Sequence, residues 1–237
     1  RHYCPTSKAM QNLLAEGVPE NRILVTGNTC IDSIQWLLSN HDESFFKKYI
    51  YDKHSDVGEL ISSGVDDKIV LITLHRREHF GPTFLGIINA IKELAYRFPA
   101  VQFVYPVHPN PNVKIPVYEN LEGISNIHLI APLDYISFVY LMKSSYLILT
   151  DSGGVQEEAP SLGKPILVLR ETTERPEGIE AGTAVLVGTD SQRIVQMASL
   201  LLTDQAAYSR MSGIQNPYGD GMAAELIVED LRKLIIQ

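Results

Sequence analysis

The chain has 237 residues, 45% hydrophobic and 20% charged, a balance that supports a buried core. Its formal net charge of -8 argues against broad nucleic-acid binding, which needs a basic face. No apolar run approaches the roughly 20 residues of a membrane span, and the two cysteines, Cys4 and Cys30, lack metal-ligand spacing.

The opening Arg1-His2-Tyr3-Cys4-Pro5 has no apolar core of a signal peptide and no initiator Met. A reduced, cytoplasmic setting is the simplest expectation, and the chain reads as a piece of something longer. Residues 6–16 form the first expected helix, capped by Thr6 or Ser7 and ended by Gly17. Ile23 to Gly27 reads as a short strand. Asn28-Thr29 opens a helix from Cys30 to Leu38, with Ile31, Ile34, Leu37 and Leu38 on one face and Trp36 expected in packing. Residues 40–67 are polar and weakly patterned. A short helix at Glu43–Tyr49 is possible there, and the stretch reads as a connector or surface excursion rather than core.

From Lys68 the text becomes regular. Strands are expected at Ile69–Leu74, Val101–Tyr105, Ile127–Ile130, Tyr146–Leu149, Ile166–Leu169 and Ala184–Val187. Helices are expected at Phe84–Tyr96, with Leu85, Ile88, Ile91 and Leu94–Ala95 inward, and at Tyr135–Met142, Val155–Leu162, Gln192–Leu202 and Ala223–Ile236. Apolar strands alternating with helices predict a doubly wound, parallel-sheet α/β (Rossmann-like) domain. In such domains ligands lie at the carboxyl ends of the strands.

The chemistry-bearing residues follow strands. Ser152-Gly153-Gly154 forms a strand-to-helix turn whose amides suit a phosphate, and Glu158 lies one turn further on, with an acceptor for sugar hydroxyls. An ordinary βα turn explains the glycines as well. His75-Arg76-Arg77-Glu78 offers two guanidinium groups and an imidazole to an anion, or is a solvated basic loop. Prolines on both sides stiffen the loop and aim His108, whose imidazole can donate to a ligand, or the stretch is a rigid surface turn. Phe138 offers a face to a flat base, or is core. Thr172 to Glu177 adds hydroxyls, a cation and a carboxylate, or is an exposed polar loop. Each signal is weak alone; their shared placement after successive strands points to one rim.

The run Asp151 to Pro165, with Thr172 to Glu177, His75-Arg76-Arg77-Glu78, Phe80-Gly81, Pro106 to Pro111 and Val25 to Thr29, resembles non-hydrolysing UDP-N-acetylglucosamine 2-epimerase over essentially the whole chain. The resemblance implies a two-domain GT-B-like fold with nucleotide between the domains. It implies residues 1–27 as the tail of an N-terminal domain, 28–67 as an interdomain connector and 68–237 as the UDP-binding domain. By motif, Ser152, Gly153 and Gly154 hold the diphosphate, Glu158 the ribose, and Phe138 lies at the uracil. Arg175 is a weaker phosphate-side candidate. His75 is the catalytic candidate, near the diphosphate or glycosyl oxygen, and Arg76 and His108 match residues that touch a second UDP-GlcNAc bound as activator.

The implied reaction eliminates UDP across C1–C2 to 2-acetamidoglucal and re-adds it to give UDP-ManNAc, with no metal or nicotinamide cofactor needed. Its acid and base carboxylates are expected in an N-terminal domain that precedes Arg1 in the family. The chain alone is therefore expected to bind UDP weakly and turn over little. The family also implies a homodimer. Alternatives at this stage are a GT-B glycosyltransferase donor domain, a non-catalytic UDP-sugar-binding module and a structural α/β domain.

Overall fold

The computed structural model describes residues 1–63 and 68–236. β1 (His2–Cys4), α1 (Ser7–Ala15) and β2 (Ile23–Val25) form a small unit in which the two strands pair in parallel, Tyr3 beside Leu24. Thr6 caps α1 by accepting from the Ala9 amide at 3.1 Å, as its hydroxyl allows. α2 (Thr29–Asn40) follows, capped by Asn28, and buries Ile31, Ile34 and Leu37. The same helix leaves Trp36 63% exposed, so the packing role expected of that residue does not hold.

For residues 40–63 the helix expected at Glu43–Tyr49 is present, but the reading of the stretch as lying outside the core is corrected. α3 (Glu43–Lys53) and α4 (Ser55–Ser63) occupy this stretch, and Phe46, Ile50 and Val57 are buried in a core cluster with strand residues such as Ile69, Leu71 and Val104. Phe46 stacks on Tyr140 at 5.3 Å between ring centroids. A Cβ on Gly58 would meet the Tyr51 backbone at 3.1 Å, so the close approach of α4 to α3 depends on that glycine. The end of the expected connector, residues 64–67, lies outside the described residues.

The main domain runs β3 (Ile69–Thr73), α5 (Pro82–Arg97), β4 (Gln102–Pro106), α6 (Pro111–Leu121), β5 (Ile127–Ile130), α7 (Tyr135–Ser144) and β6 (Leu147–Thr150). It continues through α8 (Gly153–Glu158), β7 (Ile166–Val168), α9 (Pro176–Ala181), β8 (Ala184–Leu186), α10 (Ser191–Thr203), α11 (Gln205–Ser212) and α12 (Ala223–Ile236). All six strands pair in parallel, in the order β5-β4-β3-β6-β7-β8. One core cluster, with Val70, Ile72, Phe103 and Leu149, packs against α5, α6 and α10; the other packs against α2, α3 and α7. Both faces of the sheet are therefore covered, which is why its strands read as unbroken apolar runs.

Of the expected inward residues of α5, Ile88, Ile91, Leu94 and Ala95 are buried, whereas Leu85 is on the exposed side. The order in which strands are laid down reverses between β3 and β6, which are parallel, hydrogen-bonded neighbours. That reversal opens a crevice beyond their carboxyl ends, where the loop from His75 and the loop from Asp151 begin.

Candidate functional site

Asp151 organises the crevice. It follows the fully buried β6, and its side chain is itself fully buried. Its carboxylate accepts from the His75 amide at 3.0 Å and the Arg76 amide at 2.8 Å, which ties the loop after β3 to the end of β6. The His75 ring comes within 3.1 Å of Oδ1, and the buried His79 ring within 3.4 Å of Oδ2. Burial pushes this carboxyl up, but the two imidazoles and the two amides outweigh it. Asp151 is held far below the usual carboxylate range. Beneath it, the Thr73 and Thr150 hydroxyls share a 2.6 Å hydrogen bond, and the Ser152 amide donates to Thr150 at 2.9 Å.

The helix after this turn starts earlier than the sequence suggests. Gly153 and Gly154 are already helical residues of α8, with Ser152 as its cap, rather than a turn before Val155. Neither glycine has positive φ. What matters at Gly153 is approach: a Cβ there would lie 3.7 Å from an Arg175 guanidinium nitrogen and 3.8 Å from one of Arg76. Two cations from separate loops thus converge over a backbone without a side chain. Gly154 is exposed, and a Cβ there would be in ordinary contact with Ser152 at 3.9 Å.

Each guanidinium is steered by neighbours. Arg76 Nε donates to the Asp151 carbonyl at 3.1 Å, and its Nη1 lies 3.6 Å from Glu174. Arg175 pairs with the buried Glu157, whose other oxygen accepts from Asn28 Nδ2 at 2.8 Å. Arg170, almost fully buried, donates to Glu78 at 2.8 Å and grips Glu174 with both terminal nitrogens. It therefore joins the loop after β3 to the loop after β7. The hydrogen bonds from Arg170 hold Glu174 down to about 2.

A pocket of about 250 Å³ beside this cradle is lined by His75, His108, Phe138 and Ser152, with Pro106 and Pro132 in its wall. The His75 and His108 rings lie nearly parallel, 5.8 Å apart. Asn110 donates its amide to His108 Nδ1 at 3.1 Å, which fixes the ring as the flanking prolines suggest. Glu158 is one turn along α8 and does not line that pocket. It sits half-buried against the negative charge of Glu157, and burial, then that charge, raises it to about 7. Among several larger cavities, two of about 670 and 490 Å³ lie between α1 and the loops near Glu177 and Tyr218. The second shares Arg175 with the cradle. Size alone would favour them, but the convergent cations and perturbed carboxylates are at the crevice.

The structure thus brings together His75, Arg76, His108, Phe138, Ser152, Gly153 and Arg175, with Glu158 on the same helix as the cradle. Sequence reading gave no role to Asp151, His79, Glu157, Glu174 or Arg170. Asp151 stood inside the quoted motif; the others show themselves only through contacts across loops. Among the described residues no helix is long and apolar enough to cross a membrane.

A parallel doubly wound sheet with basic and carboxylate-bearing loops at its switch point defines a GT-B-like α/β domain. The family model described as UDP-N-acetylglucosamine 2-epimerase matches residues 1–232, and the chain belongs to that family. It is 51% identical over 232 residues to UDP-N-acetylglucosamine 2-epimerase of Yersinia pestis and 49% over 234 residues to that of Campylobacter jejuni. In each case the match covers 98% of this chain and 60% of the relative. The crystal structure of UDP-GlcNAc 2-epimerase from Neisseria meningitidis bound to UDP-GlcNAc is similar, with TM-score 0.90 and 45% identity, over 98% of this chain and 61% of that one. So is the Methanocaldococcus jannaschii enzyme in complex with UDP-GlcNAc and UDP, with TM-score 0.78, 34% identity and 98% and 60% coverage. The chain therefore spans about three-fifths of the length of the relatives it matches.

Proposed function

We propose that this chain is the UDP-binding part of a non-hydrolysing UDP-N-acetylglucosamine 2-epimerase, interconverting UDP-GlcNAc and UDP-ManNAc. The observation that carries the reading is the convergence of Arg76 and Arg175 over the Gly153 backbone, beside a His75 that faces a buried Asp151. The Arg175 guanidinium and the helical amides suit a diphosphate, and Arg76 beside them suits the phosphate oxygens of a neighbouring second ligand. Similarity to structures named as complexes with UDP-GlcNAc and UDP supports the same ligand class.

In this reading Ser152, Gly153 and Gly154 hold the diphosphate, Glu158 accepts from the ribose hydroxyls, and Phe138 lies at the uracil. Arg175 neutralises the phosphate side. His75 donates to the glycosyl or diphosphate oxygen as the C1–O bond breaks and UDP leaves with its electron pair. Loss of the C2 proton completes the elimination to 2-acetamidoglucal; after rotation of the intermediate UDP re-adds at C1 and a proton returns to the opposite face of C2, which gives the epimer. The base for that proton is assigned to the first domain of the two-domain fold, with which residues 1–27 belong. Residues 28–67 lead from it into the UDP-binding domain, 68–237, whose core α2, α3 and α4 join through Ile34, Phe46 and Val57. Arg76 and His108 are proposed to touch a second UDP-GlcNAc as activator, in a cytoplasmic homodimer.

The test uses an upstream-extended chain of the relatives' length, incubated with UDP-GlcNAc in deuterated water. Deuterium at C2 with interconversion to UDP-ManNAc is expected. Acceptor-dependent UDP release would point to a glycosyltransferase, and free ManNAc to a hydrolysing relative.

A further inference from the structure

The Asp151 carboxylate is shared by two imidazoles, and only one of them faces the pocket. His75 lines the pocket, its side chain 41% exposed, while His79 is buried behind it on a 3-10 turn four residues later. His79 Nδ1 is buried without a hydrogen bond of its own, 3.4 Å from Asp151 Oδ2; its Nε2 lies 3.8 Å from Glu78. A buried ring nitrogen left in this way is costly unless the carboxylate beside it compensates. The arrangement is a line of three groups: His79 on Oδ2, Asp151, then His75 on Oδ1.

We propose that Asp151 is the positioning residue that sets the tautomer and orientation of His75, and that His79 holds the Asp151 carboxylate so that Oδ1 faces His75. The reasoning is chemical. An ionised carboxylate only accepts, so a neutral imidazole 3.1 Å away presents Nδ1 with its hydrogen. Nε2 is then the nitrogen left for the pocket, and its state decides whether the ring accepts or, once protonated, donates there. The Asp151 oxygens cannot turn freely, because Oδ2 also takes the Arg76 amide at 2.8 Å. The His75 amide, at 3.0 Å, and the His79 ring, at 3.4 Å, lie on Oδ2 as well. The role assigned to His75 rests on the proposed function; the tautomer itself does not.

The test is nitrogen-15 NMR of the 237-residue chain labelled at histidine, with His75→Gln removing and so identifying the His75 signals. The wild type is expected to show the Nδ1–H pattern at His75. Asp151→Asn is expected to shift His75 toward Nε2–H. Calorimetry should show UDP affinity falling about tenfold in that variant, the size of one misplaced hydrogen bond. His79→Phe keeps a ring of similar shape and removes both nitrogens; it is expected to lower the Nδ1–H fraction while the amide spectrum stays native. If Asp151→Asn does not fold, the wild-type tautomer and His79→Phe still decide. An Nε2–H pattern in the wild type overturns the Asp151 claim, and an unchanged pattern in His79→Phe overturns the His79 claim. Absence of saturable UDP binding by the wild type would instead overturn the proposed function.

Discussion

Helices α1 and α5 carry the same kind of amphipathic pattern and meet opposite fates. α5 buries Phe84, Ile87, Ile88, Ala90, Ile91, Leu94 and Ala95 against the six-stranded sheet. α1 buries no residue, and Leu14 on it stays 37% exposed. The strands differ likewise: all four residues of β6 are buried, whereas β2 buries Ile23 alone. α12 resembles α1, with Leu226, Val228, Leu231, Leu234 and Ile235 exposed. A hydrophobic period fixes which face of an element is apolar; whether anything covers that face is a tertiary matter. The candidate site is built on the covered region, from loops whose roots are buried strands.

The sharpest way to break this contrast is to remove the same side chain in both regions. Leu149→Ala, in the centre of the sheet, is expected to cost about 2–5 kcal/mol, because the surrounding strands and helices cannot collapse into the gap. Leu14→Ala, on α1, is expected to change stability by less than about 0.5 kcal/mol. Urea unfolding followed by circular dichroism measures both. Comparable losses would mean that α1 is as firmly packed in solution as β6.

Binding sharpens the contrast at the rim. Glu158→Ala is expected to weaken UDP binding by roughly 1.5–3 kcal/mol, the range for hydrogen bonds to a charged group. Calorimetry with UDP reads this directly, and unchanged affinity would discard the ribose assignment. Leu14→Ala should leave UDP affinity at the wild-type value, since α1 gives no side chain to the pocket that holds His75 and Ser152.

How much of this was legible before the coordinates follows the same division. Runs such as Leu147-Ile148-Leu149 announce a strand covered on both faces, and the sheet follows from their alternation with helices. α6 was not legible, because Pro111 opens it and Pro116 lies inside it, and prolines read as a rigid turn. α4 was hidden by its serines and Gly58, which make sense only once Tyr51 is seen against that glycine. β1 is three residues long, too short for any period to show. At the site, the residues proposed to meet a ligand from a strand end could be picked out: His75, Ser152 and Arg175. Residues that act on those residues could not. Arg170 and Glu174 are four apart but are joined to Glu78 across 92 positions of chain, and Glu157 meets Asn28 across 129.

A smaller effect separates local from global stability. Thr6 caps α1 and also donates to Glu177 at 2.6 Å, joining the N-terminal unit to α9. Thr6→Ala is expected to cost about 1 kcal/mol, as loss of an N-cap usually does. Because α1 buries nothing, the loss should be seen as faster amide exchange in residues 7–15, with exchange in β3 and β6 unchanged. Faster exchange spreading to β6 would show that the two regions unfold as one.

The smallest expected effect is a pH dependence, and it comes from the rim of the covered region. Burial and the Glu157 charge raise Glu158 to about 7 from an ordinary 4.5. A carboxyl raised on folding favours the folded state when protonated. Its contribution is therefore complete below about pH 4.5 and is lost as pH rises through about 7. Glu158→Gln stays neutral, so wild type should lose stability relative to this variant between pH 5 and 8, by about 1 kcal/mol or less, given that part of the group faces solvent. Asp151 runs the other way: held low on folding, it stabilises above about pH 4 and loses that contribution only in stronger acid, outside this window. Melting temperatures of wild type and Glu158→Gln at matched pH check the sign. UDP supplies the opposing force, since a carboxylate that accepts ribose hydroxyls binds best when ionised. Saturating UDP should therefore lower the Glu158 midpoint and shrink the difference between the two proteins near pH 7. A gap that widens with UDP would place the ribose somewhere other than at Glu158.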